Sequence, residues 1–391
     1  MEYKEQIISS KKKKDEAHKL HIFSFFSGCG LLDLGFEACG YSIDFVNEFS
    51  PSFLNAYRYA REQLKVTPPK YGYSNEDVTI YLSQRSEELR NNIKDVRAHH
   101  GYVGFIGGPP CPDFSVAGKQ KGKDGENGKL SQTYIKLIIA QQPDFFLFEN
   151  VKGLWKTAKH RAFYEELKAQ LHQAGYITTE RLCNSLEFAV PQDRDRILLF
   201  GINQNILSDN TRTIDDFPWG KYIQYQFPEI KKIGWPETDL FEEDVERTCP
   251  NNIPQALTIQ YWFNQNDVEN HPNGKEHFNP RQGLQRMMTV EEGDVSRKSH
   301  KRLHRWRYSP TAAYGNNEVH LHPYKARRLS VAETLAIQSL PKDFVLPPEM
   351  SLTDKFKTIG NGVPFLMAKS IAQTISDYIN ILINDDKLHR I

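Results

Sequence analysis

Cys111, Glu149, Arg194 and Arg196 are the side chains of this chain whose types and settings could do chemistry together. Cys111 lies beyond a short apolar run, Val103-Gly104-Phe105-Ile106, and the stop Gly107-Gly108-Pro109-Pro110. The run reads as a buried strand, and its glycines and prolines end it. Each proline fixes its own φ and restricts the residue before it, so the thiol is held at a defined place past a strand end. Ligands of open α/β sheets bind there. Glu149 ends a second apolar run, Phe145-Phe146-Leu147-Phe148. Arg194 and Arg196 stand in the loop before a third, Ile197-Leu198-Leu199-Phe200. A lone cysteine after a tight turn is as a rule a small buried residue. An acid and two cations at neighbouring strand ends point instead to a nucleophile.

A soft nucleophile with an acid and cations suits attack on a flat, electron-poor ring, and C6 of cytosine is such a carbon. Thiolate addition there makes C5 a carbanion-like centre able to accept a methyl group. A carboxylic acid can supply the proton or strong hydrogen bond needed at N3. An arginine can bind the carbonyl O2 and spread the developing charge. Free cysteine is only a few per cent thiolate at neutral pH, so such a site must favour the anion. Inside a duplex none of these groups reaches C6, and the base must be flipped out.

The elements that position these groups follow from the apolar pattern. Ile22-Phe23-Ser24-Phe25-Phe26 reads as a strand running into the small-residue turn Ser27-Gly28-Cys29-Gly30 and a helix. Such a turn brings backbone N–H groups close to a ligand. Tyr41 to Asn47 reads as a second strand, and Glu48 at its end stands where an acid commonly accepts hydrogen bonds from ribose hydroxyls, or is a plain exposed loop carboxylate. Apolar strands alternating with helices argue a parallel sheet covered on both faces. Arg161 to Ala174 is amphipathic, with Gly175 as its stop. Gly118 to Gly128 holds four glycines and almost nothing apolar, and reads as a mobile lid or a plain surface loop.

With 391 residues the chain can bury a large core, and two domains are expected. Its 50 Lys+Arg against 49 Asp+Glu leave a net charge of +1, so a polyanion would have to meet a local patch. Five cysteines without CxxC spacing argue against a disulfide framework or zinc site and fit a reducing cytoplasm. No apolar run approaches ~18 residues, so no membrane span is expected. Residues 1–19, with Lys11 to Lys14, read as a basic tail.

Residues 206–352 are poor in periodicity and read as a second, irregular domain. Within them, Arg297 to Tyr308 packs cations among aromatics, and Arg302, Arg305 and Arg307 are candidate phosphate contacts. A solvated charged loop would have the same composition. His300, His304, His320 and His322 lack the cysteines or carboxylates of a metal frame. Ser330-Val331-Ala332-Glu333 has capping-box spacing and should start a helix through Gln338. A last helix, burying Leu366, Ile371, Ile375 and Ile379, should return to the first domain, so that 20–205 and 353–391 form one unit.

In this order the motifs resemble those of the DNA (cytosine-5)-methyltransferases of bacterial restriction–modification systems, from about Ile22 to Ile375. Phe26-Ser27-Gly28-Cys29-Gly30 is similar to the family's first S-adenosylmethionine motif. Gly108-Pro109-Pro110-Cys111 with Phe114-Ser115 resembles its nucleophile motif, and Glu149-Asn150-Val151 its ENV. Gln192-Asp193-Arg194-Asp195-Arg196 matches QxRxR. Arg327 to Gln338 resembles the motif beside the recognition region, and Gly360-Asn361-Gly362-Val363-Pro364 the final cofactor-side motif.

The resemblance implies a doubly wound, Rossmann-like catalytic domain, a smaller target-recognition domain and a DNA cleft between them. It implies S-adenosylmethionine, with no metal, held by Phe26, Gly28, Gly30, Glu48, Asp95, Pro110, Asn361 and Val363. Glu48 would take the ribose and Asp95 the adenine. Catalysis would fall to Cys111, Glu149, Arg194 and Arg196, the last on cytosine O2. Ser115 and Lys119 would join the DNA contacts. A cytoplasmic monomer protecting host DNA from a cognate restriction endonuclease is expected. Four positions depart from the family pattern: Pro112 for glutamine, Ser24 for aspartate, Leu31 for glycine and Ala332 for arginine. Two other readings compete: a tRNA cytosine-5 methyltransferase, or a DNA-binding protein with a degenerate site. Intact Cys111, Glu149 and Arg196 argue against the latter.

Overall fold

The computed structural model describes residues 20–110, 126–207, 213–280, 283–297, 299–311 and 319–389. Leu20–Phe25 (β1) is buried at every position but His21. A strand hidden on both faces has no polar side to show, which is why its sequence does not alternate. The strands that follow are Ser42–Asn47 (β2), Tyr73–Ser74 (β3), Tyr102–Gly107 (β4), Phe145–Val151 (β5), Tyr176–Asn184 (β6), Gln192–Asp193 (β7) and Asp195–Asn203 (β8). Seven of these form one sheet in the order β3-β2-β1-β4-β5-β8-β6.

The expected all-parallel sheet is corrected at one strand. β8 lies antiparallel to both β5 and β6, while the pairs among β3, β2, β1, β4 and β5 are parallel. Only residues 185–194 connect β6 to β8. A parallel neighbour needs a crossover of a dozen residues or more, so the short connection turns the strand back.

Helices cover both faces. Ser86–Ala98 (α3), Glu126–Gln141 (α4) and Ala158–Gln173 (α5) lie on one. There Ile93, Ile138 and Leu167 join a core with Phe23, Phe25, Phe105, Phe146 and Phe148. Leu31–Ala38 (α1), Pro51–Gln63 (α2) and Phe365–His389 (α9) lie on the other. Ile371, Ile375 and Ile379 of α9 meet Ile22, Val46, Ile106, Leu147 and Phe200. Neighbouring strand residues thus point into opposite cores, with the period of two that a pleated strand imposes. The last helix does return to the sheet.

Between residues 213 and 350 regular structure is sparse. Ile259–Gln265 (α6) and Val331–Ile337 (α7) are its longest helices; Lys301–Arg302 (β9), Ser309–Pro310 (β10) and His320–Leu321 (β11) are two-residue strands. β10 pairs with β7, and β11 with β9. α7 starts on the expected capping box, Ser330 with Glu333. Leu352–Asn361 (α8) then leads to α9.

Candidate active site

The sheet register sets the site. Asn47, Phe25, Gly107 and Phe148 form one paired row across β2, β1, β4 and β5. One residue further on, at the carboxyl edge, stand Glu48, Phe26, Gly108 and Glu149. With strands ~4.8 Å apart, three steps separate the two acids by about 14 Å. The reversed β8 begins on this same edge, where Arg196 pairs with Val151. Arg194 and Arg196 therefore reach the rim because their strand runs backwards.

Glu149 and Arg196 are brought together. Arg196 Nε lies 2.6 Å from Glu149 Oε1, and both side chains are buried. Burial is the main influence on Arg196 and lowers its proton affinity; the facing carboxylate opposes that. Arg196 Nη1 donates to Asp195 O at 2.8 Å. Gly108 passes directly over this pair: a Cβ there would lie 2.5 Å from Glu149 Oε2. Pro110, the last described residue before Cys111, is exposed at the rim. Cys111, Pro112, Ser115 and Lys119 lie outside the described residues, as does most of the proposed lid. The segment's described end, 126–128, is the first turn of α4 rather than loop.

At the other end of the rim the chain turns sharply. Phe26, Gly28 and Gly30 all have positive φ, at 54°, 57° and 82°. Gly28 N donates to Glu48 Oε2 at 2.8 Å, and Ser50 N to Glu48 Oε1 at 2.7 Å. Burial raises the proton affinity of Glu48, and these two N–H donors oppose the shift. Cys29 N donates to Thr358 Oγ1 at 3.2 Å, which fixes the end of α8 against the turn. Asn361 is exposed and Val363 buried just beyond it. Leu31 fills the space over Gly362, where a Cβ would lie 2.4 Å from Leu31 Cδ2. The leucine at position 31 is thus matched by the glycine at 362.

Three expectations are corrected. Asp95 lies near the end of α3, which leads back to the start of β4. Its carboxylate accepts from Lys70 and Tyr71, both at 2.6 Å, at the amino edge of the sheet. It cannot meet a cofactor bound at the opposite edge. Arg194 is fully buried and donates to Gly360 O at 2.7 Å and Gly362 O at 3.0 Å. It ties the 360–364 loop to the sheet, a positioning role rather than contact with a reacting ring. Arg302 and Arg305 are buried as well. Arg302 donates to the carbonyls of Met287, Val290, His322 and Lys325 and lies 3.7 Å from the Phe241 ring centroid. Arg305 pairs with Glu292 at 2.8 Å and stacks over Tyr324. Their cations and aromatics serve one another, and neither guanidinium can reach a phosphate. Arg307 is half-buried, with Nη1 3.4 Å from Pro236 O.

Two rim residues escaped the sequence reading. Phe49, directly after Glu48, is 68% exposed, and its carbonyl accepts from Asn75 at 2.9 Å. Asp77 caps the turn that leaves β3, taking Thr79 N at 2.8 Å. An aromatic after a strand-end acid, and Asp-Val-Thr after a strand, are the available signals. Among the described residues no three His, Cys, Asp or Glu side chains converge to hold a metal. None of the described helices is long and apolar enough to cross a membrane.

The family model for the C-5 cytosine-specific DNA methylases matches residues 20–377. The Type II methyltransferase M.NmeDI of Neisseria meningitidis serogroup C is 55% identical over 367 residues, covering 94% of this chain and 86% of that protein. M.FnuDI of Fusobacterium nucleatum, also named a Type II methyltransferase, is 28% identical, covering 92% and 96%. Among solved structures, a prophage-encoded E. coli protein superposes with a TM-score of 0.63 at 20% identity, covering 93% of this chain and all of that one. That last likeness is one of fold.

Proposed function

Because this chain belongs to the C-5 cytosine-specific DNA methylase family, we propose that it methylates C5 of a cytosine within one specific double-stranded DNA sequence. The observation that carries this reading is the closed Glu149–Arg196 pair, on the same strand edge as the Glu48 turn. S-adenosylmethionine, bound at that turn, supplies an electrophilic methyl group. The turn's exposed Phe49 offers a face for a planar base, and Asp77, rather than Asp95, an acceptor for an exocyclic amine. Glu48 retains lone pairs for ribose hydroxyls.

The everted cytosine occupies the rim between the acids. Cys111, next in sequence after Pro110, adds as thiolate to C6, and the C5–C6 electron pair moves to C5. Arg196 turns its donors from Glu149 to O2, while the Glu149 carboxyl holds N3. C5 takes the methyl group as the S–CH3 bond of the donor breaks and its electron pair stays on sulfur, leaving S-adenosylhomocysteine. Transfer of the C5 proton to solvent water then restores the double bond and expels the thiolate. Eversion costs a few kcal/mol, which contacts to the DNA backbone must offset.

Residues 206–352 form the recognition domain in this reading. Among its accessible cations, Arg286 and Arg297 are exposed and Arg307 and Arg328 half-buried, and these are its candidate phosphate contacts. Arg286, Arg328 and Arg297 all act on His300, whose proton affinity burial lowers first and they lower further. A cytoplasmic monomer working beside a cognate restriction endonuclease fits the Type II designation of its relatives. Bisulfite sequencing of DNA from a host expressing the chain tests the reading. Protected cytosines in one recurring context, lost in Cys111→Ala, are expected; an unmodified genome with methylated tRNA would overturn it.

A further inference from the structure

A buried polar network lies directly beneath the glycine turn, and the chemistry above makes no use of it. Ser24 of β1 donates to Asp33 Oδ1 at 2.9 Å, and Tyr57 OH of α2 to Asp33 Oδ2 at 2.9 Å. The Tyr57 ring carries the Arg61 guanidinium 4.2 Å from its centroid. Arg61 Nη2 donates to Gly30 O at 2.7 Å, and Nη1 approaches Cys29 O at 3.4 Å. The same guanidinium meets Glu37 of α1 at 3.1 Å. Arg61 is 2% exposed.

The geometry is specific to the turn. Gly30 O is also the first acceptor of α1, taking Leu34 N at 3.0 Å. Arg61 therefore grips the carbonyls on the inner side of the turn while Glu48 and Thr358 take N–H groups of Gly28 and Cys29. A Cβ on Gly30 would lie 2.5 Å from the Tyr57 ring and 2.7 Å from Arg61 Nη1, so turn and guanidinium are packed in contact. A flat, forked cation can bridge two carbonyls and a carboxylate at once; an ammonium cannot hold that geometry. The cost of burying the cation is met by Glu37 and Asp33 from α1 and by the Tyr57 face from α2.

We propose that Arg61 is a positioning residue for the methyl donor: it sets the conformation of the 27–30 turn from beneath and so fixes affinity for S-adenosylmethionine without touching the reacting groups. The assignment rests on the cofactor reading above. It ties the donor site to α2 and gives the Ser24–Asp33 pair its purpose, since Asp33 orients the tyrosine on which the guanidinium lies.

The test is S-adenosylhomocysteine binding by calorimetry, with steady-state kinetics on duplex DNA, for wild type, Arg61→Met, Arg61→Lys and Arg61→Met/Glu37→Gln. The double variant removes the carboxylate that Arg61→Met would strand, and is the comparison to use if the single variant does not fold. Loss of a charge-assisted bond predicts a Kd rise on the order of tenfold in Arg61→Met. The KM for donor rises in parallel, while KM for DNA and kcat at saturating donor stay within about threefold. Arg61→Lys should fall between. The double variant should recover melting temperature but not cofactor affinity. Recovery of both together would make Arg61 a purely structural residue and overturn the proposal, as would equal losses in donor affinity, DNA affinity and kcat. Wild type that fails to bind S-adenosylhomocysteine would instead sink the cofactor reading itself.

Discussion

Glu149 and Arg196 neutralise one another where either alone would be buried without a partner. Removing one side of such a pair is costly because the other stays behind. Glu149→Gln keeps the shape and a hydrogen-bond donor but cannot take up and pass on a proton. We expect the single-turnover methylation rate to fall by about 10² or more, with DNA affinity little changed. A matching loss in binding and rate would contradict the role at N3. The nearness of Glu149 and Arg196 was legible in the sequence because each stands at the end of an apolar strand run. The arginines of 302–307 were not. Arg302 spends its donors on carbonyls 12 to 23 residues away in sequence, and nothing local announces that. Arg194 was misjudged for the same reason: its partners, Gly360 and Gly362, lie at the far end of the chain.

The elements were mostly visible as apolar runs, but strand direction was not, since periodicity is the same read either way. Only the shortness of the 185–194 connection bears on it. Asp95 and Asp77 are likewise alike on paper; the side of the sheet on which each stands decides between them. The crossing of the chain over Glu149 at Gly108 is an element-level constraint with a consequence. Gly108→Ala places a methyl group 2.5 Å from Oε2, so the carboxylate must swing from its partner. Turnover should fall at least tenfold, on the order of one lost hydrogen bond, while S-adenosylhomocysteine affinity at the distant turn stays constant. The helix α1 offers a second test. Burial pushes the Glu37 carboxyl up to about 7 from an ordinary 4.5, against the pull of Arg61. Above pH 4.5 the unfolded chain gives up this proton and the folded one keeps it, so stability falls as pH rises to about 7 and then levels. Glu37→Gln carries no such proton. Its melting temperature should gain on wild type between pH 5 and pH 8; a constant difference would remove Glu37 as the source.

For the whole molecule, a net charge of +1 supplies no general attraction to DNA. Binding must come from a patch, and a patch is recognised by its salt dependence, since each phosphate neutralised contributes about one unit of slope. Arg286 and Arg297 are exposed, Arg328 half-buried, and all three surround His300. Arg302 and Arg305 hold the adjoining core from within. The two sets therefore separate in two measurements. Arg286→Gln with Arg297→Gln should flatten the plot of log affinity against log salt by up to about two units and leave the melting temperature nearly constant. Arg302→Met should do the reverse. It strips a donor from four carbonyls, three of them in buried hydrogen bonds, and lowers the melting temperature by several degrees, while the folded fraction binds with an unchanged slope. A reduced slope in Arg302→Met would mean that the residue leaves its carbonyls on meeting DNA, and that the phosphate surface lies where the sequence first suggested.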